Sequence, residues 1–270
     1  MLNTPQGTVY KNQTVDWNSY AWKAHRAWVS VLSESGERKD EIAKATRRTP
    51  FMRGRLTFAS LVWRIAAAGG EIVGTPTAAQ FAMIDEAAGD GVYLKHGRAK
   101  NDFFGIFFAP TPSFLPYFAT SPRNAARALM GLEQAAQLSN ATRADTPLFG
   151  PQPGEEFTHH EVELAFEIMM LFGALVSLAE LADYSIHSFR IFVACALMAA
   201  NVPRHTIKRL LRWRGDLSLE IYARLNDSEW SAHVSSTYTA RVDSTIAGRL
   251  ASLGTIDLEA AALRLAAAAA

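Results

Sequence analysis

The segment from Tyr184 to Leu225 carries the residues whose types and spacing best fit a chemical site. His187 and Arg190 stand three positions apart at the start of a helical pattern, so both side chains face one side and could converge on one phosphate group. Trp213 follows Arg190 by 23 residues, and Tyr222 comes nine residues later. Each is ordinary by itself in a helical protein, but the four together form a specific pattern.

Basic residues are concentrated in two parts of the chain. The 27 Lys and Arg nearly balance the 26 Asp and Glu, and the resulting net charge of +1 argues weakly against a nucleic-acid partner. However, no acid lies between Glu41 and Glu71 or between Asp183 and Asp216, and each interval holds six basic residues. Local charge therefore still permits a phosphate-rich partner.

A helix predicted from Pro203 carries part of this basic charge. Basic side chains recur there at intervals of four residues, opposite the apolar positions Ile207, Leu210 and Leu211. Such a stripe is either a solvated helix face or a surface for a phosphate backbone. The candidate DNA-binding residues are Arg204, Lys208 and Arg212 on the stripe, with Arg209 beside them.

The surrounding patterns predict an α+β fold, mostly helical, with a small antiparallel sheet in the first half. Two helices are expected between residues 19 and 45, separated by a turn at Ser35 and Gly36. Short β-prone pieces between 55 and 109 predict the sheet, with a helix near 77–87. One further helix is expected from an N-cap at Ser121 to residue 138, and another over 162–182 behind a capping box of Thr158 and Glu161. The remaining helices are expected over 187–200, 203–213, 217–225 and 238–252. The helix over 162–182 is apolar on nearly every side and is expected to be central and buried.

Cysteine content and hydropathy bear on the compartment. The single cysteine, Cys195, excludes an intrachain disulfide and favours a reducing compartment. The first residues contain no apolar segment typical of a secretory signal. The longest uncharged run, Phe103 to Pro122, is interrupted by four prolines, so no membrane span is expected.

The order and spacing of His187, Arg190, Trp213 and Tyr222 resemble the catalytic domain of the tyrosine recombinases, the phage integrase family. That family carries H-x-x-R, an apolar helix, a basic helix ending in His or Trp, and a tyrosine in a short following helix. The resemblance covers roughly residues 20–235. It implies a recombinase-like catalytic domain over 19–237, after an N-terminal extension of residues 1–18 and before a C-terminal helix and alanine-rich tail over 238–270.

The resemblance implies two further site residues upstream. The family's first arginine corresponds to Arg38, with the acid Glu41 three residues on. The family's lysine lies in a β-hairpin, often in a stretch similar to S-K-x-D-x-x-G, and corresponds to Lys100, with Lys95 as the alternative.

The implied activity is DNA breaking and rejoining, as a site-specific recombinase or integrase, without a metal or any cofactor such as ATP. Tyr222 would attack the phosphodiester and form a 3′-phosphotyrosyl link that keeps the bond energy for rejoining. Preorganised donors stabilise the extra negative charge on phosphorus. In these roles, Arg38 and Arg190 would clamp the non-bridging oxygens, His187 and Trp213 would donate hydrogen bonds, and Lys100 would protonate the leaving 5′ oxygen.

DNA is the implied partner, in recombination or integration of a mobile element. A homo-oligomer, a synaptic tetramer on DNA, and a location in the nucleus or nucleoid are also expected. Family members usually carry a separate DNA-clamping domain first, and with Arg38 as the first arginine no such domain is expected in this sequence. Two alternatives remain: a recombinase-derived protein that binds DNA without cutting it, and a plain helical protein in which these residues are structural.

Overall fold

Helices and two antiparallel sheets make up the computed structural model, which describes residues 2–51, 55–97, 112–121, 123–213, 215 and 234–235. The chain divides into a unit Met1–Arg224 and a unit Leu225–Ala270, and nearly all described residues belong to the first. The helices are α1 (Tyr20–Ser35), α2 (Lys39–Ile42), α3 (Ala78–Phe81), α4 (Ala125–Ala136), α5 (His159–Ile168), α6 (Leu178–Leu181), α7 (His187–Ala199) and α8 (Arg204–Leu210). The strands are β1 (Val9–Tyr10), β2 (Gln13–Thr14), β3 (Leu61–Ile65), β4 (Gly70–Val73), β5 (Gly91–Leu94) and β6 (Ser113–Pro116).

Helix α1 has a local signal at each end. The Ser19 side chain accepts a hydrogen bond from the backbone N–H of Trp22, which satisfies a free donor of the first turn. Gly36 ends the helix in the left-handed conformation, with φ 62°, and its N–H donates to the carbonyl of Leu32. The short helix α2 follows after two more residues. The predicted pair of helices with a turn at Ser35 and Gly36 is confirmed.

The four-stranded sheet has the order β4-β3-β5-β6, and every neighbouring pair is antiparallel. This confirms the predicted small antiparallel sheet and the mixed α+β class. Strand β6 lies in the proline-rich stretch, where the sequence pattern predicts none. Gly91 is required at the edge of β5, because a Cβ there would lie 2.4 Å from the carbonyl oxygen of Leu115 on β6. The expected strand over 103–109 lies outside the described residues.

The single helix predicted over residues 162–182 is wrong in its second half. Helix α5 begins at the predicted capping box, with the Thr158 side chain accepting from Glu161 N–H, but it passes into a π-helical turn over Met169–Gly173. Leu175 then adopts φ 57°, which breaks the helix, and Ser177 caps the separate helix α6. Leu175 and Leu178 are 83% and 70% exposed, so the second half of this segment is not buried.

Two other predicted helix limits shift. Helix α4 starts behind Asn124, whose side chain accepts from Arg127 N–H, and not behind Ser121. Helix α8 ends at Leu210, before Trp213. The predicted helices over 217–225 and 238–252 lie outside the described residues. Within the described ranges, no helix combines the length and apolarity needed to cross a membrane.

A buried ion pair joins helix α4 to the loop that follows it. Glu133 is 1% exposed and contacts the Arg143 guanidinium, which also donates to the carbonyl of Phe58 at 2.7 Å. Trp63 of β3 donates its indole N–H to Glu133 at 3.0 Å. Strand β3 and the loop that carries Arg143 are thus both bonded to one carboxylate of α4 inside the core.

Replacing Glu133 by alanine should lower the free energy of unfolding by about 3 to 5 kcal/mol, because Arg143 would keep a buried charge without its partner. Denaturant unfolding measures this loss. The control Glu163→Ala breaks the half-exposed pair with Lys39 and should cost less than about 1 kcal/mol. Equal losses in the two variants would contradict the prediction.

Candidate functional site

Four of the six predicted catalytic residues lie in the described part of the chain, on three separate segments. Arg38 occupies the N-cap position of α2, three residues after the end of α1. His187 is the first residue of α7, Arg190 follows within the same first turn, and Trp213 lies just beyond α8. Lys100 and Tyr222 lie outside the described residues, and the alternative Lys95 is exposed directly after β5.

Arg190 connects these segments. Its guanidinium donates one hydrogen bond to the carbonyl of Gly36 and another to the carbonyl of Leu211. Its Cζ also lies 5.4 Å from the ring centroid of Trp213, a cation–π distance. Arg190 is 2% exposed, so these contacts are made in the interior. The side chain therefore holds the turn before Arg38 and the end of α8 together.

Gly36 is the residue that permits this approach. Its positive φ disfavours any L side chain, and a Cβ on it would lie 2.5 Å from Cδ2 of Leu211 and 3.7 Å from Cγ of Arg190. The turn between α1 and α2 is thus packed directly against the residues that surround the Arg190 guanidinium.

Arg38 and His187 line one cavity of about 520 Å³. Burial, followed by the charges of Arg190 and Arg38, lowers the pKa of His187, so its imidazole is neutral at neutral pH. Burial and the charges of Arg38 and Arg212 likewise lower the pKa of Arg190 to about 9. Cations shift one another's pKa values in this way only when they lie close together. A bound anion would reduce the repulsion between them.

Acidic side chains share the wall of this cavity, and part of their charge is already neutralised. Glu163 pairs with Lys39 at 2.6 Å, and Glu167 pairs with Lys11 at 2.7 Å. Six of the charged or titratable lining residues are Arg38, Lys39, Asp40, Glu163, Glu167 and His187. The cavity lining is therefore mixed in charge, with Arg38 and Lys39 beside the acidic side chains.

The predicted exposed position of Arg212 is wrong. Helix α8 ends before this residue, and Arg212 adopts φ 55°, which turns its side chain into the protein, where it is 2% exposed. Arg204 and Arg209 are exposed on α8, and Lys208 is half-buried. The basic face of α8 thus consists of these three residues without Arg212.

Arg212 belongs to a buried charge cluster that the sequence patterns did not predict. Its Nη2 donates to Glu37 at 2.6 Å and to Glu41 at 2.9 Å, and its Nη1 lies 2.7 Å from His96 Nδ1. His96 Nε2 in turn lies 2.9 Å from the Ser113 hydroxyl at the start of β6. The acid at position 37, directly before the predicted site residue Arg38, was the signal available in the sequence.

The two carboxyl groups of this cluster titrate in opposite directions. Burial raises the pKa of Glu41 to about 8, and the neighbouring Glu37 charge adds to the effect. Burial also opposes ionisation of Glu37, but the charge of Arg212 and hydrogen bonds from Glu41 and His96 hold the pKa of Glu37 well below its usual range. At neutral pH, Glu37 is ionised and Glu41 is protonated. The Glu41 carboxyl also accepts the backbone N–H of Arg38 at 2.6 Å, which fixes the start of α2.

Comparison with protein-family models gives no match, and a search of curated proteins gives none either. Among the residues that the structure describes, no group of three or more His, Cys, Asp or Glu side chains is arranged to hold a metal ion. The function proposed below therefore rests on the geometry of the site.

Substituting Gly36 by alanine should lower the free energy of unfolding by about 1 to 3 kcal/mol, because the new methyl group meets Leu211 and the backbone is strained. Denaturant unfolding measures the change. Gly131→Ala is the matched control: it lies inside α4 with open space at its Cβ, and should raise stability by about 0.5 to 1 kcal/mol. A neutral Gly36→Ala would contradict the proposed packing.

The raised pKa of Glu41 predicts a pH dependence of stability. The folded protein holds a proton that the unfolded chain releases between the ordinary pKa of 4.5 and about 8, so stability should fall as the pH rises through this window. Glu41→Gln keeps the hydrogen bonds without the titration. The difference in unfolding free energy between wild type and variant, measured from pH 5 to 8, should change steadily in the variant's favour, and a constant difference would refute the assignment.

Proposed function

We propose that this protein is a DNA breaking and rejoining enzyme of the tyrosine recombinase type, with Tyr222 as the nucleophile. The observation that carries the proposal is that Arg38 and His187 line one cavity, and that burial together with the charge of Arg38 lowers the pKa of both His187 and the neighbouring buried Arg190. Their segments are far apart in the sequence, since Arg190 bonds to a carbonyl 154 residues away. A repeating pattern within one helix or strand does not bring such distant segments together.

The charge of the cluster suits a phosphodiester. Three arginines, Arg38, Arg190 and Arg212, surround the pair of Glu37 and Glu41, of which Glu37 alone is ionised at neutral pH. Phosphoryl transfer adds negative charge at phosphorus in the transition state, and fixed guanidinium groups in a partly dry site stabilise it strongly. The Arg38 guanidinium lies 3.5 Å from the Glu41 carboxyl group, which is a long contact. It can therefore turn toward a phosphate at little cost in free energy.

Each residue then has a defined part in the reaction. Tyr222 attacks phosphorus, the bond to the 5′ oxygen breaks, and a 3′-phosphotyrosyl ester forms. A tyrosine with an ordinary pKa of about 10 needs a base or nearby cations to react at neutral pH. Neutral His187 can accept the proton, because its pKa is lowered. Lys100 gives a proton to the leaving 5′ oxygen, and attack by a 5′ hydroxyl reverses the step.

The basic face of α8 supplies contacts to the DNA backbone in this proposal. Arg204 and Arg209 are exposed and Lys208 is half-buried. Each phosphate contact of this kind makes DNA binding weaker as salt concentration rises, because bound counterions are released on association.

A second candidate function, DNA binding without cleavage, is favoured by the state of Arg190. Both of its terminal nitrogens already donate to backbone carbonyls, and the side chain is almost completely buried. Asp40, Glu163 and Glu167 also line the cavity and oppose a phosphate there. A protein that has kept the framework of the site but lost the reaction would show these features.

A covalent trapping experiment separates the two functions. The protein is incubated with a pool of nicked duplexes of random sequence, and covalent protein–DNA adducts are isolated under denaturing conditions. We expect adducts with wild type, none with Tyr222→Phe, and a reduction of about 100-fold or more with Arg38→Ala. Arg48→Ala, an exposed arginine in the same basic interval, is the matched control and should retain adduct formation.

Other outcomes decide against the enzyme. Salt-dependent retention of the duplexes without any adduct would select the non-cleaving DNA-binding protein. Adducts that persist in Tyr222→Phe would remove Tyr222 as the nucleophile. Neither adduct nor retention of DNA would overturn both functions.

A further inference from the structure

The guanidinium of Arg212 lies where three segments meet. It contacts Glu37 and Glu41 on either side of Arg38, and His96 two residues beyond the end of β5. Arg212 itself directly precedes Trp213. One side chain thus links the start of α2 beside Arg38, the end of α8 beside Trp213, and the residues that follow β5.

We propose that Arg212 is a positioning residue, whose buried guanidinium sets the relative placement of these three segments. This inference rests on the proposed function and deepens it. The Arg212 guanidinium is buried and bonded to Glu37, Glu41 and His96, so it acts through these neighbours.

The backbone conformation of Arg212 supports this role. A φ of 55° is uncommon for an L residue other than asparagine or aspartate, and glycine would adopt it freely. In an ordinary helical conformation the side chain would continue along the exposed face of α8. The left-handed conformation instead directs it inward to Glu37 and His96, at N–O and N–N distances of 2.6 Å and 2.7 Å.

The partners of the guanidinium complete the arrangement. His96 Nδ1 lies 2.7 Å from Arg212 Nη1 and 2.8 Å from a Glu37 oxygen, so it can accept from the arginine or donate to the carboxylate. The Glu41 carboxyl receives both Arg212 and the backbone N–H of Arg38. Loss of Arg212 would therefore leave Glu37 as a buried carboxylate without its counter-ion and release the start of α2.

Chemical rescue is the direct test. Arg212→Gly removes the guanidinium and keeps a residue suited to the left-handed backbone. We expect the rate of adduct formation on the nicked duplexes to fall about 10- to 100-fold at saturating DNA, since displaced groups cost rate more than binding. Low millimolar methylguanidinium should restore much of this rate by filling the vacated space. A purely structural loss elsewhere would not respond to it.

Arg143→Gly is the matched control, because Arg143 is equally buried and paired with Glu133, away from this cluster. It should lower thermal stability, but leave the adduct rate per folded molecule unchanged and insensitive to methylguanidinium. Arg212→Lys, which keeps the charge but not the fork, replaces the glycine variant if that variant does not fold, and should show a smaller loss of rate. A wild-type rate in folded Arg212→Gly or Arg212→Lys, or a loss without rescue in Arg212→Gly, would overturn the inference.

Hydrogen exchange separates this inference from the proposed function. In Arg212→Gly, amide exchange should rise together in residues 37–42 and 95–97 and return toward wild type with methylguanidinium, whether or not wild type forms adducts. If wild type forms none, the proposed function fails while the exchange result still decides the structural role. Unchanged exchange in both segments would overturn the role of Arg212.

Discussion

The buried guanidinium of Arg190 is the contact on which the rest of the site depends. It joins the carbonyl of Gly36, at the end of α1, to the carbonyl of Leu211, at the end of α8, and covers the ring of Trp213. A guanidinium has five N–H donors in a rigid fork, so it can hold two helix ends at once and still carry a charge. Arg38 follows Gly36 by two residues, so the contact between Arg190 and Gly36 positions the segment that carries Arg38.

A buried arginine requires compensation, and the neighbouring cluster supplies it. Burial and the charges of Arg38 and Arg212 lower the pKa of Arg190, whereas Glu37 and Glu41 raise it. Arg212 bonds directly to both acids, and its charge keeps Glu37 ionised, whereas burial and the Glu37 charge leave Glu41 protonated at neutral pH. Each buried charge of this region has a counter-ion or a carbonyl. In the proposed function, the arginines would let a protein with a net charge of only +1 bind a phosphate.

Local signals gave correct elements where local contacts decide them. The caps at Ser19 and Thr158, and the left-handed end at Gly36, are bonds within a few residues, and they begin or end helices at the predicted positions. The same reasoning failed over 162–182, because an apolar composition does not reveal a backbone break, and Leu175 makes one. It also failed at β6, where the prolines concealed a strand that, among the described strands, pairs with β5 alone.

The sequence by itself determined which residues were candidates for phosphate chemistry, since residue type and spacing along α7 place His187 and Arg190 in the same turn. Only the tertiary structure decided that Arg38 lies near them, and that Arg212 is buried instead of exposed. Arg212 pairs with Glu37 across 175 residues, and no periodicity within α8 carries information about that partner. Helical spacing is set by hydrogen bonds between close neighbours, whereas burial of a charge depends on which distant segment brings its counter-ion.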